Sequence, residues 1–248
     1  MAIDRPRKRL STGEPELDAM IGGGFLEGTV TLISGAPGVG KTTLGLQFLC
    51  AGIDRGESGL MVTFEEFPAS LIRDAKGVGW DLQQLQKEGK LRLIFTSPEV
   101  FMNSLQDPTS PISEAIRMME PRRVVIDSAT HFRRLTEDPI KLRDIYNTII
   151  NALKREGLTS LFLDEDANIS KPKDGRMPSL PFVVDSVFLM RYVELDSAIT
   201  RALTVLKMRG SQHDKRIRPY HIQQGGLKLL PPFENIQGVL SATPHRVR

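Results

Sequence analysis

Short apolar runs rich in β-branched residues alternate with longer stretches in which apolar residues recur every three or four positions. The first kind reads as buried strands, the second as amphipathic helices. Strands are predicted over residues 30–33, 59–64, 91–96, 122–128 and 160–163. Helices are predicted behind most of them: from residue 41 through Leu44, Leu46, Phe48 and Leu49, through Leu71, Ile72 and Ala75, through Leu82 and Leu85, and over 112–119 and 139–156. The last carries Ile140, Leu142, Ile145, Ile149, Ile150 and Leu153 and stops at Gly157. A strand followed repeatedly by a helix favours an α/β fold whose parallel sheet is covered by helices on both faces.

Three stretches depart from this alternation. Residues 16–21 form a short capped helix halted by Gly22, Gly23 and Gly24, and residues 97–111 are rich in turn formers and are expected as a surface loop. From Val183 the period changes: strands over 183–193 and 200–208 meet at a polar turn near Asp196 and Ser197, followed by strands near 218–223 and 225–230. That pattern predicts an antiparallel C-terminal part.

Composition narrows the picture modestly. A chain of 248 residues with 40% hydrophobic content is long enough for one large core. The expected layout is a basic tail over 1–9 (Arg5, Arg7, Lys8, Arg9), one α/β domain over 10–234 and a tail over 235–248. A formal net charge of +3 neither demands nor excludes nucleic acid. One cysteine, Cys50, permits no internal disulfide and favours a reducing compartment. No run is long enough to span a bilayer, so a cytoplasmic protein without membrane contact is expected.

The chemistry concentrates where strand 30–33 meets the next helix. Gly35-Ala36-Pro37-Gly38-Val39-Gly40-Lys41-Thr42-Thr43 is a P-loop in the strand–loop–helix setting that the motif requires. Glycines at 35, 38 and 40 let backbone N–H groups approach a polyphosphate and allow positive φ. The helix beginning near Lys41 directs its free N–H groups at the phosphates. Lys41 would neutralise β/γ-phosphate charge, and the Thr42 hydroxyl would ligate Mg²⁺.

Two further strands end in acids. Glu65 and Glu66 follow strand 59–64, at the sheet edge where the P-loop lies; Glu65 is the first candidate for the base that activates water, with Glu66 beside it. Asp127 closes strand 122–128 as a Walker B acid, and Thr42, Asp127 and Glu65 form the candidate metal set. A polar loop over 171–181 bears Lys171, Lys173 and Arg176, which could face single-stranded nucleic acid, although a solvated loop is the commoner outcome.

Several separate stretches together resemble one family. Leu10-Ser11-Thr12-Gly13, Leu17-Asp18, Gly22 to Gly24, the P-loop, Phe64-Glu65-Glu66, Val124 to Ser128, Val184-Asp185, Arg191 to Glu194 and Lys207-Met208-Arg209-Gly210-Ser211 with His213 are similar to the KaiC-like branch of the RecA-type ATPases, from about residue 10 to 233. The resemblance implies a twisted, mostly parallel sheet, with ATP held between subunits of a homohexameric ring. It implies that the paired glutamates activate water. It also implies that Lys207 and Arg209 reach the nucleotide of the adjacent subunit, with Met208, Ser211 and His213 beside it.

Two positions depart from the family. Pro181 and Phe182 stand where self-phosphorylating members carry Ser and Thr, and Asp164-Glu165-Asp166 replaces a polar sensor. The expectation is therefore a slow, regulatory Mg²⁺-dependent ATPase that assembles with itself as a homo-oligomer and has an unidentified regulatory protein as a further candidate partner. The alternatives are a DNA-binding recombinase-like ATPase and a nucleotide-gated scaffold, a possible autokinase, with little turnover.

Overall fold

A computed structural model describes residues 8–165, 180–234, 236–238 and 245–246. The chain begins with β1 (Arg9–Leu10), α1 (Pro15–Met20) and β2 (Phe25–Leu26), which pairs back onto β1. Then come β3 (Val30–Gly35), α2 (Lys41–Ile53), β4 (Gly59–Thr63), α3 (Pro68–Gly77), α4 (Leu82–Lys87), β5 (Leu91–Phe95), α5 (Pro98–Ser104), α6 (Pro111–Met119) and β6 (Arg123–Asp127). A 3-10 segment (Ala129–Leu135) leads to α7 (Pro139–Arg155), β7 (Thr159–Asp164) and α8 (Leu180–Val183). The last strands are β8 (Ser186–Leu195), β9 (Ala198–Met208), β10 (Arg218–Gln223) and β11 (Gly226–Leu229), with a small pair β12 (Ile236–Gln237) and β13 (His245–Arg246).

Nine strands form one sheet in the order β11-β10-β9-β8-β3-β7-β6-β4-β5. Strands β8, β3, β7, β6, β4 and β5 run parallel, and β9, β10 and β11 continue the sheet antiparallel. Side chains alternate across β3: Ile33 packs with α2 residues Leu44, Phe48 and Leu49, while Val30 and Leu32 pack on the other face with Ile149, Ile150 and Leu153 of α7. Both faces are covered, so β3 and β7 are buried along their whole length and mostly apolar, as expected for parallel strands between helix layers.

Local sequence explains the helix starts. Prolines open α3, α5, α6 and α7, where the lost N–H has no helical partner. Ser97, Ser110 and Asp138 stand before three of them and accept from the N–H of Val100, Ser113 and Ile140. This pairing corrects the expected loop over 97–111. The Ser-Pro pair is a helix start there, and Phe101 of α5 is buried against Phe64 and Phe132. The strand expected from 183 begins at Ser186, because Leu180–Val183 closes a helical turn first. The Asp185 carboxylate that follows accepts from the Val30 N–H and pairs with Lys154.

The flanking segments also hold structure. Arg9, at the end of the basic stretch, lies in β1 and donates to the carbonyls of Ile21 and Gly24 and to the Ser211 hydroxyl. Gln47, buried midway along α2, donates to the carbonyls of Gly13 and Leu227 and accepts from the Leu227 N–H. The expected loop cations Lys171, Lys173 and Arg176 lie outside the described residues. Among the described residues no helix is long and apolar enough to cross a membrane.

Candidate nucleotide site

The P-loop leaves the carboxyl end of β3 and enters α2 at Lys41. Gly38 and Gly40 have φ of 78° and 100°, values that a side chain disfavours. A Cβ on Gly38 would also lie 2.7 Å from the Tyr192 hydroxyl, and one on Gly40 would lie 2.5 Å from Ile222 Cδ1. Gly35 differs from the expectation: its φ is not positive. Glycine is required there because a Cβ would fall on the Met190 carbonyl of the adjacent strand. Pro37 and Gly38 are exposed, Val39 is buried, and the Val39 carbonyl accepts from the Tyr220 hydroxyl at 2.6 Å.

The charged groups converge at the same edge. Lys41 is buried, with Nζ 2.9 Å from the Gly35 carbonyl and 3.1 Å from that of Ala36. Burial lowers its pKa, and the carboxylates of Asp127, Glu165 and Asp164 oppose that effect. Thr42 Oγ1 donates to Asp127 Oδ2 at 2.7 Å. Burial raises the Asp127 pKa, countered by that hydrogen bond and by Lys41. A buried carboxylate with an adjacent hydroxyl at a phosphate-binding turn is a donor set that suits a hard divalent cation such as Mg²⁺.

The two glutamates occupy different places. Glu66 lines a cavity of about 290 Å³ together with Gly38, Lys41, Thr42, Trp80 and Ile222. Its backbone is fixed by the Thr63 hydroxyl, which donates to the Glu66 carbonyl and accepts from its N–H. Burial raises the Glu66 pKa, and the nearby carboxylates of Asp127 and Asp74 add to the effect. Glu65 does not line that cavity, and its carboxylate is bonded instead to His131 Nε2 at 2.9 Å. A larger hollow of about 760 Å³ opens at the amino edge of the sheet, near Glu27, Arg117, Arg122 and Arg155, and none of the candidate site residues lines it.

Lys207 and Arg209 stand far from this cluster. Met208 is opposite Ser186, and Ser186 is opposite Thr31 at the start of β3, whereas the P-loop begins where Gly35 faces Met190. Four residues of strand separate the two levels, about 13 Å. The Lys207 ammonium donates to the carbonyls of Pro181 and Val184, and Arg209 donates to that of Phe182. Burial and the Arg209 charge lower the Lys207 pKa, against the pull of Asp185. Met208 is a core residue, the Ser211 hydroxyl is held by Arg9, and both ring nitrogens of His213 are buried without a hydrogen-bond partner. None of these residues meets the P-loop of its own chain at that distance.

Residues 10–234 match the family described as ATPase: KaiC. The chain belongs to the KaiC family of ATPases. It is 35% identical over 236 residues to the circadian clock protein KaiC3 of Synechocystis, covering 95% of this chain and 46% of that one. It is 35% identical over 239 residues to the circadian clock oscillator protein KaiC of Thermostichus vulcanus, covering 96% and 46%. The chain thus spans about half the length of the curated relatives it matches. A crystal structure of a KaiC-like protein from Pyrococcus horikoshii superposes with a TM-score of 0.78 at 28% identity, over 91% of this chain and all of that one. The α/β sheet with its antiparallel C-terminal strands is therefore the RecA-type fold of KaiC-like proteins.

In this KaiC-family chain several supports of the site were not marked as such in the sequence. Tyr220 and Ile222 come from β10, and only the continuation of the sheet past β8 brings them to the loop; Tyr192, within the Arg191 to Glu194 stretch already noted, arrives on β8 itself. Asp164, at the family's sensor position, accepts from the Thr130 hydroxyl at 2.8 Å and pairs with Arg133. His131 lies in the 3-10 segment that no periodicity announced.

Proposed function

We propose that this chain is a slow, regulatory Mg²⁺-dependent ATPase whose nucleotide site is completed by a second copy of itself in a ring. The P-loop N–H groups and Lys41 bind the phosphates, and Thr42 and Asp127 would hold the metal. Bound there, Mg²⁺ would neutralise charge on the β- and γ-phosphates. The glutamate pair takes a proton from water as its oxygen bonds to the γ-phosphorus and the bond to the β-bridging oxygen breaks, giving ADP and inorganic phosphate. Lys207 and Arg209 of a neighbouring copy contribute the cations that stabilise charge on the transferred group.

One observation carries the shared-site reading. Lys207 and Arg209 lie at the amino edge of the sheet and the P-loop at its carboxyl edge, so these cations cannot serve their own chain's nucleotide. In a head-to-tail ring each amino edge meets the next carboxyl edge, and the interface closes on itself. The test is molar mass in solution with and without Mg²⁺ATP, paired with phosphate release across a protein dilution series. A species that stays monomeric while turning over at an undiminished specific rate would rule out the shared site.

A further inference from the structure

His131 is unused by the mechanism above, and its surroundings are unusual. Its side chain is 5% exposed, yet among the described residues its ring bonds to the carboxylate of Glu65, which is 69% exposed. The residue is held from behind: its main-chain N–H donates to the Ser128 carbonyl at 3.2 Å, and the ring meets Phe64 edge-on with centroids 6.2 Å apart. A carboxylate only accepts, so Nε2 carries the hydrogen in this bond. The next residue, Glu66, is turned the other way into the cavity with Lys41 and Thr42.

We propose that His131 is a positioning residue that divides the labour of the two glutamates. By holding Glu65 Oε2 through Nε2, it keeps that charge at the rim and leaves Glu66 as the group that takes the proton from water. The inference rests on the ATPase reading and refines it. Without the imidazole, Glu65 is free to swing toward Glu66 and Asp127 and adds a second negative charge where anionic phosphate must sit. The cost then falls on the chemical step more than on nucleotide binding.

The experiment measures steady-state phosphate release and nucleotide affinity for the wild type and for E65Q, E66Q, E65A, H131L, H131Q and the double variant H131L/E65A. E66Q should lose about 100-fold or more in kcat, the size of a general-base contribution, and E65Q should lose at least about tenfold less than that. H131L should lower kcat about tenfold with KM little changed. H131Q, whose amide can donate from nearly the same place as Nε2, should recover most of that loss. In the E65A background H131L should cost nothing further in kcat.

A loss in E65Q equal to or greater than that in E66Q would overturn the division, as would an H131L effect of the same size with and without Glu65. Failure of H131Q to recover kcat while its melting temperature stays at that of the wild type would overturn it too. If H131L does not fold, the E65Q, E66Q and H131Q arms still decide. A wild type that binds nucleotide but releases no phosphate would instead bring down the ATPase reading, and this inference with it.

Discussion

The two edges of the central sheet are built differently. At the carboxyl edge, Lys41 is buried, Asp127 is partly buried, the glycine turn is braced by Tyr192, Tyr220 and Ile222, and the cavity beside them is small. At the amino edge, Lys207 is only partly buried, Arg209 is exposed, and both lean on backbone carbonyls of residues 181–184 rather than on carboxylates. Lys41 rests on carbonyls too, those of Gly35 and Ala36, so burial is what separates the edges: cations near solvent can reach an outside anion with little rearrangement, whereas the buried Lys41 is committed to its place. On the proposed shared-site reading, one edge receives the nucleotide and the other lends its cations.

The sharpest way to break that contrast is at the receiving edge. K41A or D127N should abolish Mg²⁺ATP turnover, and K41A should also remove measurable nucleotide binding by fluorescence titration. A K41A chain that still binds ATP would mean that the turn is not the phosphate site. Next in size is the lending edge: R209A should keep Mg²⁺ATP binding but lose about 1,000-fold in turnover, the scale of a removed arginine finger. When doped into wild type it should depress activity more than dilution does, because each variant copy impairs its neighbour.

A smaller effect concerns pH. Burial, Asp127 and Asp74 hold the Glu66 carboxyl above its ordinary range, so it needs a higher pH to ionise. The acidic limb of the kcat/KM profile should therefore lie above the usual carboxylate range, and D74N, which removes one like charge, should move it to lower pH. A limb unmoved in D74N would show that another group sets it.

Smaller again is Y220F. Losing the donor to the Val39 carbonyl should cost about 1 kcal/mol of stability in denaturant unfolding. Nucleotide affinity should fall with it, because the loop loses a brace. Last is Cys50, whose thiol burial pushes up to about 12. At pH 8 it stays neutral and should resist alkylation until the chain unfolds, as mass spectrometry of native and denatured samples would report.

Much of the receiving edge was legible in the sequence because its signals are local. The P-loop, its strand and its helix are contiguous, and Asp127 and the glutamates each end an apolar run, so a parallel sheet places them together without further information. Gly35 was given the wrong reason: its neighbour Met190 is far along the chain, and no local pattern reveals a close approach between strands. For the same reason Tyr220 passed unnoticed, and Tyr192 was noted only within a motif and not as a neighbour of Gly38, since aromatic residues in strands are ordinary. His131 was hidden differently, since a 3-10 segment has no amphipathic period to betray it. Helix α5 was misread because Ser97-Pro98 serves equally as turn punctuation and as a helix start, and only the burial of Phe101 decides between them.

Gln47 ties the phosphate-binding helix to Gly13 on one side and Leu227 on the other, with both amide hydrogens and the oxygen in use. On the ribosome, Leu227 emerges only after nearly all of residues 10–234 have been made. Until then this amide has its Gly13 partner but not Leu227, and burying it half-bonded would cost free energy. The hydrogen bonds of the phosphate-binding helix are thus complete only once the β10–β11 hairpin is in place.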